Sequence, residues 1–209
     1  MAKILHLIRH GESEANAAGI YQGQSVDTGL TDQGKRQAGV VARILKEAQA
    51  RKIYTSSLLR TKQTAEIINQ ATRLDLEVDD RIIEINHGTW EGKTPDKFSK
   101  KEKTILKKWR KDPVGVQMIN GENLDMVVSR CQEFVNSLPE NGQYIVVTHD
   151  LVIRVIASMA MKHSFKYLWK YILDNCGVTT VSFKPYRLVS LNQNFHLNNL
   201  RSSLNRQAL

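Results

Sequence analysis

Four separate stretches of the chain carry side chains able to move a phosphoryl group. Arg9 and His10 follow the apolar run Ile4-Leu5-His6-Leu7-Ile8 and precede Gly11-Glu12-Ser13. Arg60 stands shortly after Ser56-Ser57, Glu84 follows Ile82-Ile83, and His149 closes Tyr144-Ile145-Val146-Val147-Thr148. An arginine offers a planar fork of donors to phosphate. A histidine beside it can attack phosphorus or carry a proton near neutral pH. A transferring phosphoryl group spreads charge over its equatorial oxygens, which two arginines and a second histidine can hold. His10 Nε2 becomes a competent nucleophile when a backbone carbonyl holds its other ring nitrogen. The departing alkoxide needs a proton, and Glu84 can give one if anionic charge around it raises its pKa. The guanidinium groups supply the positive charge, so this chemistry needs no metal and no cofactor. Each residue alone has a plainer reading: a solvated helix arginine, an exposed loop carboxylate, a hydrogen-bonded core histidine. The function lies in the combination.

Those four groups must be delivered by elements that end at one place. Ile4 to Ile8 reads as a short buried strand stopped by Gly11, which lets the backbone turn and an anion approach. Asn16 to Gly29 is polar and glycine-rich and reads as an ordered loop over the strand ends. Thr31 offers an N-cap to an amphipathic helix reaching about Ala50. Lys52-Ile53-Tyr54-Thr55 is a second strand, and Ser56-Ser57 caps the helix whose first turn holds Arg60. A third strand lies within Leu76–Ile83, with a turn at Asp79-Asp80. Thr94 to Asp112 reads as a basic helix, and Asn120 to Asn123 starts another, with Leu124, Val127, Cys131 and Phe134 on its apolar side. Tyr144 to Thr148 is a core strand, and Leu151 to Met161 a buried helix. Val178–Lys184 and Arg187–Asn192, parted by Pro185-Tyr186, form an antiparallel hairpin at a sheet edge. Strands alternating with helices predict an α/β protein: a three-layer α/β/α sandwich on a mostly parallel sheet. We read residues 1–209 as a single domain, with a basic helical insertion around 93–120 and a frayed tail at 198–209.

Composition narrows the partners. The formal charge is +9, from 30 Lys and Arg against 21 Asp and Glu, which favours anionic partners. Lys97, Lys100, Lys101, Lys103, Lys107, Lys108, Arg110 and Lys111 face one acid, Glu102, within 97–111. That run is either a solvated helix face or a basic lid, and no aromatic interleaving or motif supports specific nucleic-acid binding. Cys131 and Cys176 suggest neither metal nor disulfide, but buried thiols in a reducing compartment. Met1-Ala2-Lys3 enters the first strand directly, and the longest apolar stretch is cut by Arg154. We therefore expect no signal peptide, no membrane span and a cytoplasmic location. The oligomeric state is open, a homodimer included. Trp90, Trp109 and Trp169 read as packing.

With these residues in view, the chain resembles the histidine phosphatase superfamily, also called phosphoglycerate-mutase-like. The likeness runs from Ile4 to about Ser182. It rests on Leu-Ile-Arg-His-Gly-Glu-Ser at 7–13, Asn16, Gln22-Gly23, Asp27 through Leu30-Thr31 to Gly34, and Tyr54 through Arg60 to Ala65. Glu84 to Gly88, Trp90-Glu91-Gly92, Gly121-Glu122, Arg130 and Val147-Thr148-His149 complete it. The resemblance implies the phosphoglycerate-mutase-like fold, with His10 as the phosphorylated nucleophile and Arg9, Arg60 and His149 as the phosphate pocket. Glu84 would be the acid/base, and Asn16, Gln22 and Gly23 contacts of the substrate loop. Three departures matter. Asp150 follows His149 where the family usually has glycine, and a carboxylate there repels phosphate unless it points away. Ile85 follows Glu84 where the mutase branch has arginine, and the downstream double arginine of that branch is missing. Trp90-Glu91-Gly92 and the Trp109–Pro113 segment look like the phosphatase branch. The expected function is therefore a metal-independent phosphatase acting on small phosphomonoesters through phospho-His10. The alternatives are a 2,3-bisphosphoglycerate-dependent phosphoglycerate mutase, a fructose-2,6-bisphosphatase-like sugar bisphosphatase, and a catalytically silent binding protein of the same fold.

Overall fold

The first apolar run becomes β1 (Lys3–Arg9), and the sheet is built outward from it. In the computed structural model, which describes residues 2–202, β1 lies parallel to β4 (Gln143–Thr148) and antiparallel to β5 (Val178–Phe183). Next to β4 lies β2 (Lys52–Thr55), then the edge strand β3 (Asp75–Val78), both parallel; β6 (Arg187–Gln193) closes the other edge by pairing antiparallel with β5. The order is β3-β2-β4-β1-β5-β6, mostly parallel with the expected antiparallel edge.

Alternation along the strands makes both faces apolar, and helices cover each. Ile8, Ile53, Ile145 and Val147 pack with Ala38, Val41, Ala65 and Ile68 from α2 (Asp32–Leu45) and α3 (Leu59–Thr72). Leu5, Leu7, Tyr144 and Val146 face the larger cluster, made with α4 (Lys100–Lys111), α5 (Leu124–Ser137) and α6 (Asp150–Met161). This is the three-layer sandwich expected from the alternation of strands and helices.

Several boundaries differ, each for a local reason. The stretch expected to be all loop contains the single-turn helix α1 (Glu14–Ala17), formed because Ser13 and Asn16 make a reciprocal capping box. Thr31 does cap α2, but the helix stops at Leu45 rather than near Ala50. Ser56 and Ser57 do not cap α3: its N-cap is Leu58, and the orphan N–H of Leu59 donates instead to Asp27 Oδ1 at 2.7 Å. β3 ends at Val78, and Asp80–Ile82 is a 3-10 turn. The basic segment is likewise a 3-10 turn, Pro95–Lys97, followed by α4 with a Ser99/Glu102 capping box. The end of the chain is tied down as far as it is described. Leu197 is buried, Leu200 O accepts from the side-chain amides of Gln33 and Gln37, and Ser202 Oγ accepts from Gln37. Residues 198–202 are therefore not frayed; the rest of the predicted tail, 203–209, lies outside the described residues.

Candidate active site

Parallel register alone brings two of the expected residues together. Arg9 pairs with Thr148 across β1 and β4, so the next residues, His10 and His149, leave the sheet side by side. Their ring centroids are 5.3 Å apart. The His10 amide donates to Thr148 O at 3.0 Å, and its Nδ1–H donates to Gly11 O at 2.8 Å. A carbonyl can only accept, so Nδ1 carries the proton and Nε2 keeps its lone pair. Burial, then Arg60 and Arg9, hold the His10 imidazole well below its usual range, so it is neutral at pH 7. His149 is fully buried; its Nε2 hydrogen-bonds Ser56 Oγ at 2.8 Å, while Nδ1 is buried with no hydrogen-bond partner among the described residues.

The two arginines reach the same place from different elements. Arg9, at the end of β1, donates through Nη1 to Leu173 O at 2.6 Å, and its Nε is buried and unpartnered. Arg60, in the first turn of α3, donates through Nη2 to Gly23 O at 2.9 Å. Its Nε and Nη1 have no hydrogen-bond acceptor, although Asp27 lies at ion-pair distance, 3.8 Å. Burial lowers the Arg60 guanidinium to about 10, which leaves it charged at neutral pH. Buried donors are normally satisfied. Among the described residues, four unsatisfied buried nitrogens, Arg9 Nε, Arg60 Nε and Nη1 and His149 Nδ1, belong to residues grouped around His10; His87 Nδ1, Thr89 Oγ1, Trp90 Nε1, Ser182 Oγ and His196 Nδ1 are unsatisfied as well.

Glu84 lines the same cleft. Burial, then the charge of Asp150, pushes its carboxyl up to about 7, against the Ile85 N–H, Arg60 and Arg130. The turn that carries it is held from outside. Glu122 Oε2 accepts from Asn86 N at 2.9 Å, and Arg130 Nε donates to Glu122 Oε1 at 3.2 Å. Asn16, Gln22 and Gly23 also line the cleft. Gln22 Oε1 accepts from Ser13 Oγ at 3.0 Å, which fixes the loop on α1. Gly23 sits at φ +51, and a Cβ there would lie 1.8 Å from Glu91 Oε1, so only glycine fits. The Glu91 carboxylate accepts from Gln24 N at 3.2 Å, Ser25 N at 2.7 Å and His87 N at 2.7 Å, strapping this loop to the turn after Glu84.

Gly11 differs from expectation in its reason. Its φ is not positive, and what excludes a side chain is α2: a Cβ would stand 2.6 Å from Gly34 O. Asp150 is the other surprise. It lines the cleft, yet its carboxylate is taken by Arg154 Nε at 2.7 Å, Arg154 Nη2 at 3.1 Å and Arg9 Nη1 at 3.7 Å. The residue that breaks the family pattern thus has its carboxylate directed at Arg154 and Arg9.

The structure brings together every site residue expected from the sequence and adds some that were missed. Asn175 Nδ2 donates to His10 O at 2.9 Å and to Asn16 Oδ1 at 3.3 Å. Its only signal was a polar cluster, Asp174-Asn175, just ahead of a strand. Ser56 was read as a cap and is the partner of His149. His87 lines the cleft, and so do Trp109 and Trp169, which were read as packing alone. Among the described residues, no group of three His, Cys, Asp or Glu is placed to hold a metal ion.

The family model of the histidine phosphatase superfamily (branch 1) matches residues 5–195. This chain belongs to that superfamily. Phosphoserine phosphatase 1 of Hydrogenobacter thermophilus is 32% identical over 197 residues, 93% of this chain and 92% of that protein. The protein named probable phosphoglycerate mutase GpmB of Proteus mirabilis is 35% identical over 188 residues, 86% of this chain and 85% of its own. Among solved structures, YhfR of Bacillus stearothermophilus superposes with a TM-score of 0.87 at 27% identity, covering 94% of this chain and 100% of that one. A phosphoserine phosphatase mutant of Entamoeba histolytica in complex with phosphoserine gives 0.81 at 29%, covering 93% and 99%. This histidine phosphatase is thus an enzyme of the phosphoric monoester hydrolase class, with relatives named both phosphatase and mutase. No helix among its described residues is long and apolar enough to cross a membrane.

Proposed function

We propose that this histidine phosphatase hydrolyses small phosphomonoesters by way of a phosphohistidine on His10, without a metal ion. The observation that carries the reading is the set of buried, unpartnered side-chain nitrogens on Arg9, Arg60 and His149 around a neutral His10 with its Nε2 lone pair free. Nε2 attacks phosphorus in line as the ester P–O bond breaks. Arg9, Arg60 and His149 hold the equatorial oxygens, whose charge grows in the transition state. The Glu84 proton goes to the departing alkoxide. Glu84, now a carboxylate, then takes a proton from the water that attacks the phosphohistidine, releasing phosphate and restoring both groups. Asn16, Gln22 and Gly23 shape the substrate side.

The mutase reading shares this chemistry but must also retain a bisphosphorylated intermediate. The only cations lining the cleft among the described residues are Arg9 and Arg60, and both serve the transferring group. With Ile85 after the acid, the arginine that the mutase branch carries at that position is missing, and a further cation beside the cleft is Arg110, hydrogen-bonded to Tyr21. Given 3-phosphoglycerate and catalytic 2,3-bisphosphoglycerate, phosphate release should exceed isomerisation; rapid formation of 2-phosphoglycerate without free phosphate would reverse the choice. The nucleophile is tested in EDTA by comparing the wild type with His10→Ala. The variant should lose turnover and the acid-labile, base-stable protein phosphate label, whereas retained turnover or a phosphoserine label would overturn the mechanism.

A further inference from the structure

The residues just ahead of β5 grip the end of β1. Leu173 O accepts from Arg9 Nη1 at 2.6 Å, and Cys176 N donates to Arg9 O at 2.8 Å. Between them Asn175, fully buried, donates through Nδ2 to His10 O at 2.9 Å and to Asn16 Oδ1 at 3.3 Å. One side-chain amide thus joins the nucleophile's main chain to α1. The turn that carries it is anchored from β6 and just beyond. Asp174 N donates to Asn192 Oδ1 at 2.9 Å, and the Asp174 carboxylate accepts from Asn192 Nδ2 at 2.9 Å and Asn194 Nδ2 at 2.6 Å. Cys176 is held at φ +56, a left-handed conformation that a non-glycine residue seldom takes unless its surroundings impose it. The senses of these bonds follow from the main chain. Ser13 N can only donate, so the Asn16 atom it meets at 3.3 Å is Oδ1. His10 O can only accept, so Asn175 presents Nδ2 to it. Asn16 therefore turns Oδ1 to Ser13 and Asn175, and its Nδ2 donors are the end left for the cleft that it lines.

We propose that Asn175 is a positioning residue for phosphoryl transfer: it fixes the main chain of His10 and turns the Asn16 amide so that its N–H bonds serve an oxyanion in the cleft. The proposal rests on the phosphohistidine reading and deepens it. The His10 ring must stand in line with the breaking ester bond, and a misplacement of about 1 Å at a reacting atom costs roughly 10²-fold in rate. Removing Asn175 takes a buried donor from the carbonyl of the nucleophile itself. It also leaves the Asn16 carbonyl held by Ser13 N, so that the amide can turn a lone pair toward the anion it should bind.

The test follows the rate of His10 phosphorylation by rapid quench and the Kd of tungstate, a tetrahedral oxyanion, by calorimetry. Both are measured on the wild type, Asn175→Ala, Asn16→Ala and the double variant, and referred to the folded fraction from urea unfolding. Asn175→Ala should slow phosphorylation roughly tenfold to hundredfold. It should weaken tungstate about threefold to tenfold. With Asn16 already alanine, the same substitution should leave tungstate affinity within about twofold, because its effect on the anion runs through the amide that is gone. A turn that merely supports the fold would weaken tungstate equally in both backgrounds, and that additivity would overturn the proposal. A phosphorylation rate per folded molecule equal to the wild type would overturn it too. If Asn175→Ala does not fold, Asn194→Ala removes one anchor of the turn from a half-buried position and should give the same losses at smaller size. Wild-type values in that variant would count against Asn175. A wild type that forms no phosphohistidine would sink the phosphohistidine reading, and the tungstate cycle would still decide for or against Asn175.

Discussion

At neutral pH the carboxyl of Glu84 is divided between its two forms, because burial and the charge of Asp150 raise it to about 7. In the proposed mechanism the acid form serves the first half-reaction. Its fraction is near one well below pH 7 and falls about tenfold per pH unit above it. Phosphorylation of His10 by an alkyl ester should therefore slow as pH rises through about 7. An aryl ester such as p-nitrophenyl phosphate leaves as a stable anion and should not show that limb. In Glu84→Gln the alkyl-ester step, followed by rapid quench, should drop roughly 10²–10⁴-fold and the aryl-ester step far less. An equal fall for both esters would remove Glu84 from the role of acid. At this scale the sequence was informative wherever a residue type and a strand end coincide, as at Arg9, His10 and His149. It was silent where a contact joins distant segments: Asn175 reaches the His10 carbonyl, and Ser56 reaches His149, across spans that no local pattern encodes. Trp109 and Trp169 were read as packing because large aromatic residues usually are, and only the cleft shows their second surface.

The elements act mainly by where they end and how closely they approach. β1 and β4 were legible as buried apolar runs, and their parallel register does the rest by setting His10 beside His149. α1 was missed because a one-turn helix has no periodicity; its capping box, Ser13 with Asn16, was the available signal. The Ser56-Ser57 pair was misread because a side chain from another segment, Asp27, supplies the cap. The approach of α2 to the nucleophile loop is closer than the sequence could suggest. A Cβ on Gly34 would lie 2.1 Å from Glu12 O and 2.9 Å from Glu12 N, both backbone atoms that cannot swing aside. Gly34→Ala should therefore push the loop just after His10 off its position, although alanine is the better helix former. Overpacking of this kind costs typically about 1–3 kcal/mol. We expect a lower urea midpoint, together with a fall in kcat on every ester. Unchanged stability and kcat would mean that α2 slides freely against the loop. A control, Gly39→Ala, has nothing within 4 Å of the new Cβ and should be neutral or stabilising.

The molecule as a whole carries a formal charge of +9, and α4 concentrates it beside the cleft that its Trp109 helps to line. Lys107, Lys108, Arg110 and Lys111 all lie in this helix and are exposed. Such a surface raises the local concentration of a phosphate dianion without touching it. The consequence is a salt-dependent capture step and a salt-independent chemical step. Raising ionic strength from about 0.01 to about 0.15 M shortens the screening length from about 30 to about 8 Å, so kcat/KM should fall while kcat holds. Lys107→Glu combined with Lys108→Glu takes away two positive charges and adds two negative ones on the exposed face, leaving the capping box and the buried Leu106 and Trp109 intact. At low salt this double variant should show a kcat/KM lower by about three- to tenfold. At high salt it should converge on the wild type. A deficit of the same size at every ionic strength would mean that the reversals distort the Trp109 wall, and equal values throughout would show the basic run to be a solvated face with no part in substrate capture.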